Sequence, residues 1–190
     1  MSKVTRLTDM IADDQKENRT SPHRIDAQTQ CGPLPDPPDP LGSHYLEILQ
    51  GTASLADMHG LDPAALECMY ARGCDAWNSG DMGAATSDFG LLTLLQPLER
   101  RFHFAFACGL QSQGEFNHAL TFFNYAMALR AEDPFAVFHI GECLLGLQAF
   151  EAARDAFEAA IALCYGVENS APETARLRER AEQHLINLNR

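Results

Sequence analysis

The sequence predicts an all-α protein built around a row of three helix-turn-helix repeats. Two observations predict this class. Small residues return every 34 positions, as at Gly73, Ala107 and Gly141, and turn residues fall in the same phase at Gly80 and Gly114. A helical hairpin that repeats in this way buries its apolar side by stacking on its neighbours, so the expected architecture is an open solenoid.

Composition limits the classes of function. The chain has 190 residues, a net charge of −12 and 46% hydrophobic residues, which suits one domain with an appendage. The acidic balance argues against nucleic acid or an anionic membrane surface as a partner.

No apolar run reaches the roughly 18–20 residues of a membrane span, and the N-terminus lacks the apolar stretch of a secretory signal. Six cysteines without paired or zinc-finger spacing indicate reduced, mostly buried thiols in a cytosolic protein.

The N-terminal quarter of the chain differs from the rest. Residues 1–44 hold few large apolar side chains and end in a proline-rich run, which excludes a helix or a central strand. We expect a disordered arm with an extended spacer, and a proline-rich ligand for an adaptor domain is the alternative. The segment 45–65 is predicted to be helical and is the candidate for dimerisation, because its apolar residues form one stripe: Tyr45, Leu46, Ile48, Leu49, Leu55 and Met58.

The repeats are expected over 66–99, 100–133 and 134–167, after a helix start with Asp62 as N-cap and Pro63 as first helical residue. Small residues at Gly73 and its equivalents let the two helices of a hairpin approach closely. We expect the phenylalanines at 89, 123 and 157 to fill the space between neighbouring hairpins. Gln148 replaces glycine at the third turn, which costs about 1 kcal/mol at most if the backbone there is left-handed. A helix over 172–190 with a polar back is the predicted C-terminal cap.

This 34-residue pattern resembles the tetratricopeptide repeat, and the predicted fold is a tetratricopeptide-repeat solenoid. In such a stack the first helices line a concave groove, into which repeat positions 2, 5, 9 and 12 point. The groove is unusually apolar for a surface, which is typical of an interaction site. Its predicted residues, with a neighbouring histidine, are Glu67, Tyr70, Cys74, Trp77, Arg101, Phe104, Cys108, Gln111, Phe135, Phe138, His139, Glu142 and Leu145. Burial of some of these aromatics in the ordinary core is the alternative.

Other kinds of site have little support. Repeat domains that clamp the C-terminal carboxylate of a heat-shock protein need lysine and arginine on this face, and here only Arg101 is basic. His139 and Glu142 lie three apart and could meet as metal ligands, but no third ligand is visible. Cys143 is expected to point into its own hairpin, away from any cleft. We therefore expect no catalytic residue, cofactor or metal site.

Specific runs of sequence resemble one family, the cytoplasmic chaperones for translocator subunits of bacterial type III secretion systems, the SycD/LcrH-like class. The resemblance covers roughly residues 45–167. The runs that carry it are Leu66-Glu67-x-x-Tyr70-Ala71 with Trp77-x-Ser79-Gly80, Arg101-Phe102-x-Phe104 with Ala107-Cys108 and Gln113-Gly114, and Asp133-Pro134-x-x-x-Phe138-His139-x-x-Glu142-Cys143-Leu144-Leu145.

The resemblance implies a non-enzymatic function. Members bind hydrophobic translocators before export and keep them soluble, with an extended client segment in the concave groove. Tyr70, Cys74 and Trp77 match the family's groove residues of the first repeat, although Cys74 is smaller than usual, and Phe104, Phe138, His139 and Glu142 match those of later repeats. A repeat scaffold or regulator with another peptide partner is the alternative. The arm of about 44 residues is longer than the family's usual leader.

We expect a homodimer, because the apolar stripe of segment 45–65 lacks a partner within the predicted repeats. Analytical ultracentrifugation at tens of micromolar should therefore give the mass of two chains. A single species with the mass of one chain at that concentration would contradict the prediction.

Overall fold

The computed structural model describes residues 53–166 and 172–189, and within these ranges all regular structure is α-helical. The helices are α1 Leu55–Met58, α2 Pro63–Ser79, α3 Met82–Leu95, α4 Arg100–Ser112, α5 Phe116–Leu129, α6 Pro134–Gly146, α7 Phe150–Gly166 and α8 Pro172–Leu188. The arm 1–44 and the stripe residues 45–49 lie outside the described residues. No helix in the described ranges is both long enough and apolar enough to cross a bilayer.

The helices form a row of three hairpins. Each hairpin pairs consecutive helices, α2 with α3, α4 with α5, and α6 with α7, and each packs on the next. Helix α1 lies against α3, and α8 closes the row by packing on α7. The predicted all-α fold with tetratricopeptide-like hairpins is confirmed, although α2 begins at Pro63, before the expected repeat start at residue 66.

Within a hairpin, a phenylalanine of the second helix lies against a glycine of the first. A Cβ added at Gly73 would lie 2.6 Å from a ring carbon of Phe89, and one added at Gly141 would lie 2.7 Å from Phe157. Both rings are fully buried. Phe89 and Phe157 therefore occupy the gaps that the glycines leave inside their own hairpins, which the sequence analysis did not predict. Phe123 does reach the neighbouring hairpin, since its ring stacks on His139 of α6 with 5.5 Å between ring centroids.

Neighbouring hairpins meet at a different set of small residues. A Cβ at Gly109 of α4 would lie 2.5 Å from the hydroxyl oxygen of Thr86 in α3, and Gln113 donates a hydrogen bond of 2.8 Å to that hydroxyl. At the next junction a Cβ at Gly146 would lie 2.5 Å from the ring of Phe116. Glycine therefore sets the helix spacing both within hairpins and between them.

Turns and caps follow the sequence signals. Asp62 accepts a hydrogen bond of 2.7 Å from the backbone N–H of Ala65, which confirms it as the N-cap of α2. Gly80 and Gly114 have φ angles of 88° and 80°. Gln148 has φ 61° at the equivalent third turn, so the left-handed backbone is kept there in a residue with a Cβ, at some cost in stability.

Four of the cysteines, Cys74, Cys108, Cys143 and Cys164, are free thiols with at most a small exposed fraction. Cys68 is disulfide-bonded. The expectation of reduced thiols throughout was therefore wrong for Cys68.

The contact at Gly73 predicts that two glycine-to-alanine substitutions change the free energy of unfolding in opposite directions. Gly73→Ala should lower the free energy of unfolding by about 1–3 kcal/mol, because the new methyl group overlaps the buried Phe89 ring. Gly83→Ala should raise it by up to about 1 kcal/mol, because alanine favours the helix and the added Cβ meets only a carboxylate oxygen of Asp81 at 3.6 Å. Urea unfolding followed by circular dichroism measures both. Equal stability of the two variants would contradict the packing described here.

Candidate functional site

The predicted groove residues of the three repeats lie on one continuous surface, which we call the first-helix face: the sides of α2, α4 and α6 that carry repeat positions 2, 5, 9 and 12. Arg101 of α4 forms an ion pair with Glu67 of α2, with one hydrogen bond of 3.1 Å. Gln111 of α4 donates a hydrogen bond of 3.0 Å to Glu142 of α6. Polar bridges therefore join each first helix to the next along this face.

The aromatic residue at repeat position 5 faces the interior of its own hairpin. All three such residues are at most 8% exposed. Each packs on the core phenylalanine of the second helix, with ring centroids 5.7 Å apart for Tyr70–Phe89, 5.5 Å for Phe104–Phe123 and 5.5 Å for Phe138–Phe157. These rings form the base of the face, and a partner reaches them only if neighbouring side chains move.

The remaining predicted residues divide by exposure. Trp77, Cys108, Phe135 and His139 are buried. The half-buried ones, which a partner can touch directly, are Glu67, Cys74, Arg101, Gln111, Glu142 and Leu145. The accessible part of the face is therefore more polar than the sequence predicted, and Cys74 and Leu145 are its apolar members.

Two buried polar atoms on this face have no hydrogen-bond partner within residues 53–166 and 172–189, the Trp77 indole nitrogen and Nε2 of His139. The buried Tyr70 hydroxyl has only the Cys74 thiol as a weak partner. An unsatisfied buried polar group costs about 1–3 kcal/mol, so such groups in a folded protein need an explanation. A bound peptide main chain offers the N–H and C=O groups that would pair with them.

Arg101 is held in place by aromatic rings as well as by carboxylates. Its guanidinium carbon lies 5.2 Å from the ring centroid of Tyr70 and 5.1 Å from that of Phe102. Its Nε lies 3.4 Å from a carboxylate oxygen of Glu99. Cation–π contact and two carboxylates fix this side chain between the first and second repeats.

At the third repeat, Glu142 is the centre of a polar cluster. Its carboxylate lies 3.0 Å from Nδ1 of His139, 3.0 Å from Nη2 of Arg180 and 3.6 Å from Nε2 of His184. Burial alone would raise the pKa of Glu142, but hydrogen bonds from His139 and His184 and the charges of His139 and Arg180 hold it well below its ordinary value of 4.5. The meeting of His139 and Glu142 that their spacing predicted is confirmed.

Two members of this cluster, Arg180 and His184, come from α8 and were missed by sequence analysis. The Arg180 guanidinium lies 4.5 Å from the ring centroid of Phe138. The His184 ring stacks on Phe157 at 4.7 Å with an interplanar angle of 2°. The sequence did contain one signal for them: Arg180 and His184 are four residues apart, which puts both on one side of a helix.

The thiols on and beneath the face are protonated at neutral pH. Burial raises the pKa of Cys74 to about 11 and that of Cys143 to about 12. It also raises the pKa of Cys108 well above its ordinary value. Since the thiolate is the reactive form of cysteine, these residues act as small apolar side chains. In the described parts of the chain, no three His, Cys, Asp or Glu residues are grouped so as to hold a metal ion.

Of the predicted dimerisation stripe, the structure describes Leu55, which is 39% exposed, and Met58, which is half-buried. Tyr45, Leu46, Ile48 and Leu49 lie outside the described residues. The dimer interface stays a prediction.

The cluster around Glu142 predicts a pH-dependent stabilisation. Glu142→Gln should lower the free energy of unfolding by about 1–3 kcal/mol at pH 7, because it weakens charge-assisted hydrogen bonds to three side chains. The folded-state pKa lies below 4.5, so the contribution of the carboxylate is complete above pH 4.5 and is lost as the pH falls further. The difference between wild type and variant should therefore shrink on acidification.

Urea unfolding of both proteins between pH 3 and pH 7 measures this difference. The control is Glu151→Gln, since the Glu151 side chain is 92% exposed, and it should leave stability almost unchanged. A wild-type–variant difference that stays constant down to pH 3 would contradict the assignment.

Comparison with known proteins gives relatives of one kind. No protein-family profile matches the chain. The chaperone protein SicA of Salmonella is 26% identical over 106 residues, which are 56% of this chain. The match spans 64% of the length of SicA, less than two thirds of this curated relative.

Two solved structures extend the likeness to the fold. A type III secretion complex from Aeromonas hydrophila matches with a TM-score of 0.69 and 28% identity, over 78% of this chain and 96% of that one. PcrH of Pseudomonas aeruginosa, solved with the chaperone-binding region of PopD, matches with a TM-score of 0.63 and 28% identity, over 68% and 95% of the two chains. The resemblance that the sequence motifs indicated is confirmed: in fold and in repeat sequence, this chain is similar to the translocator chaperones of type III secretion systems.

Proposed function

We propose that this protein is a cytoplasmic chaperone of a bacterial type III secretion system, which binds hydrophobic translocator subunits on its first-helix face and keeps them soluble and competent for export. It acts without catalysis, as a homodimer. The observation that carries the proposal is the likeness to PcrH, a chain of the same fold that has been solved with the chaperone-binding region of PopD.

The chemistry of the first-helix face supports a peptide as ligand. The face offers apolar side chains that a partner can touch, Cys74 and Leu145, beside fixed polar groups at Arg101 and Gln111. Unpartnered polar atoms at its base suit a main chain in extended form. Ligand sites of this kind combine apolar contact area with a few placed hydrogen-bonding groups.

The protonated thiols agree with a binding role. A nucleophilic cysteine needs a lowered pKa or an adjacent base, whereas burial raises the pKa values of Cys74 and Cys143. His139 bonds to Glu142 and Gln111. These residues are suited to shape a surface and hold its polar groups in place.

Blocking substitutions on the face test the proposal. Co-expression with a hydrophobic type III translocator should keep that translocator soluble and yield a complex of fixed stoichiometry. The PopD chaperone-binding region serves as a second probe. Cys74→Arg and Leu145→Arg should each weaken binding at least roughly tenfold, because a bulky cation then occupies the accessible apolar part of the face.

The control is Ala159→Arg, which adds the same side chain at an exposed position of α7 and should leave binding unchanged. Substitution of Tyr70, Phe104 or Phe138 is a poorer test, because these rings belong to the hairpin cores. Failure of the wild type to hold either probe in solution would contradict the chaperone function. Equal binding by the two face variants and the control would contradict the assignment of the face.

A further inference from the structure

The C-terminal helix forms one wall of the first-helix face. Helix α8 is fixed to α7 by buried side chains, since Thr174, Leu177 and Ala181 are at most 3% exposed. The Arg178 guanidinium lies 5.1 Å from the ring of Tyr165 in α7, and Arg154 of α7 donates a hydrogen bond of 2.6 Å to Asn189. This helix is therefore a constant part of the fold rather than a loosely attached end.

One side of α8 reaches across to α6. Arg180 donates a hydrogen bond of 3.0 Å to Glu142 and lies over the ring of Phe138. His184 lies between Phe157 and Phe138, at 4.7 Å and 5.7 Å between ring centroids. Phe138 is completely buried as a result, so a client at the third repeat meets Arg180 before it meets this ring.

We propose that Arg180 is a client-contacting residue and that its guanidinium donates a hydrogen bond to a main-chain carbonyl oxygen of the bound segment. This inference rests on the proposed function. The Arg180 side chain is 41% exposed, and its hydrogen bond to Glu142 is the only one found within the described ranges. A guanidinium has five N–H donors, so most of them are available to a partner.

The surroundings of Arg180 favour a neutral acceptor over a carboxylate. Glu142 already balances the charge of Arg180, and the low pKa of this carboxyl keeps it ionised. The chain carries a net charge of −12, which disfavours an acidic client side chain at this place. A peptide carbonyl oxygen needs a hydrogen-bond donor but no balancing charge. The Arg180–Glu142 pair is neutral overall and holds the guanidinium donors in a fixed direction.

Binding measurements on α8 variants test the inference. The probes are a hydrophobic type III translocator and a peptide of the PopD chaperone-binding region. Arg180→Ala should weaken binding roughly tenfold, and Arg180→Lys should recover only part of it, because lysine lacks the planar fork. Arg176→Ala removes an exposed arginine of the same helix and should have no effect. Affinity should depend only weakly on salt, as expected for a neutral acceptor.

Hydrogen exchange of α8 in the free variants separates contact from folding. Protection of α8 should be the same in Arg180→Lys and wild type, so that a loss of affinity there reports a lost client contact. Unchanged affinity of Arg180→Ala would overturn the inference. Tighter binding would also overturn it, since α8 would then be shielding the site. A wild type that binds neither probe would instead reject the proposed function itself.

Discussion

The contact between a phenylalanine ring and a glycine sets the helix spacing in the first and third hairpins of the row. Phe89 and Phe157 occupy the gaps that Gly73 and Gly141 leave, so the two helices of a hairpin approach closely around an aromatic core. The position-5 aromatics of the first helices pack on these rings from the other side. The first-helix face is consequently the outer surface of this core, and its polar groups are arranged over buried aromatic rings.

Most of the fold could be predicted because its signals are local. A repeat period identifies the hairpins, Asp62 and Pro63 mark a helix start, and Gly80 marks a turn whose φ angle of 88° suits glycine. The cap and turn signals act within a few residues of where they lie in the sequence, and the repeat period predicts that they return in each hairpin. Even Gln148, which breaks the glycine pattern, adopts the left-handed backbone, because the packed helices α6 and α7 on either side fix the path of the turn.

The site was harder to predict because it depends on packing between elements. Helical projection puts Tyr70 and its equivalents on the open face, yet position 5 lies at the border with the hairpin interior, and contact with Phe89 decides its direction. Projection also treats each helix separately. It could place His139 near Glu142, but the approach of Arg180 from α8 depends on how the last helix crosses the third hairpin.

The polar back of α8 has a consequence for assembly symmetry. Its exposed side chains are mostly charged or amide groups, namely Arg176, Glu179, Glu182 and Gln183, and one is apolar, Ile186. A filament of head-to-tail copies needs an adhesive surface at each end of the helical row, and on the described part of α8 a single exposed large apolar side chain, Ile186, lies among charged and amide groups. Such a surface disfavours the open-ended stacking of further copies on α8.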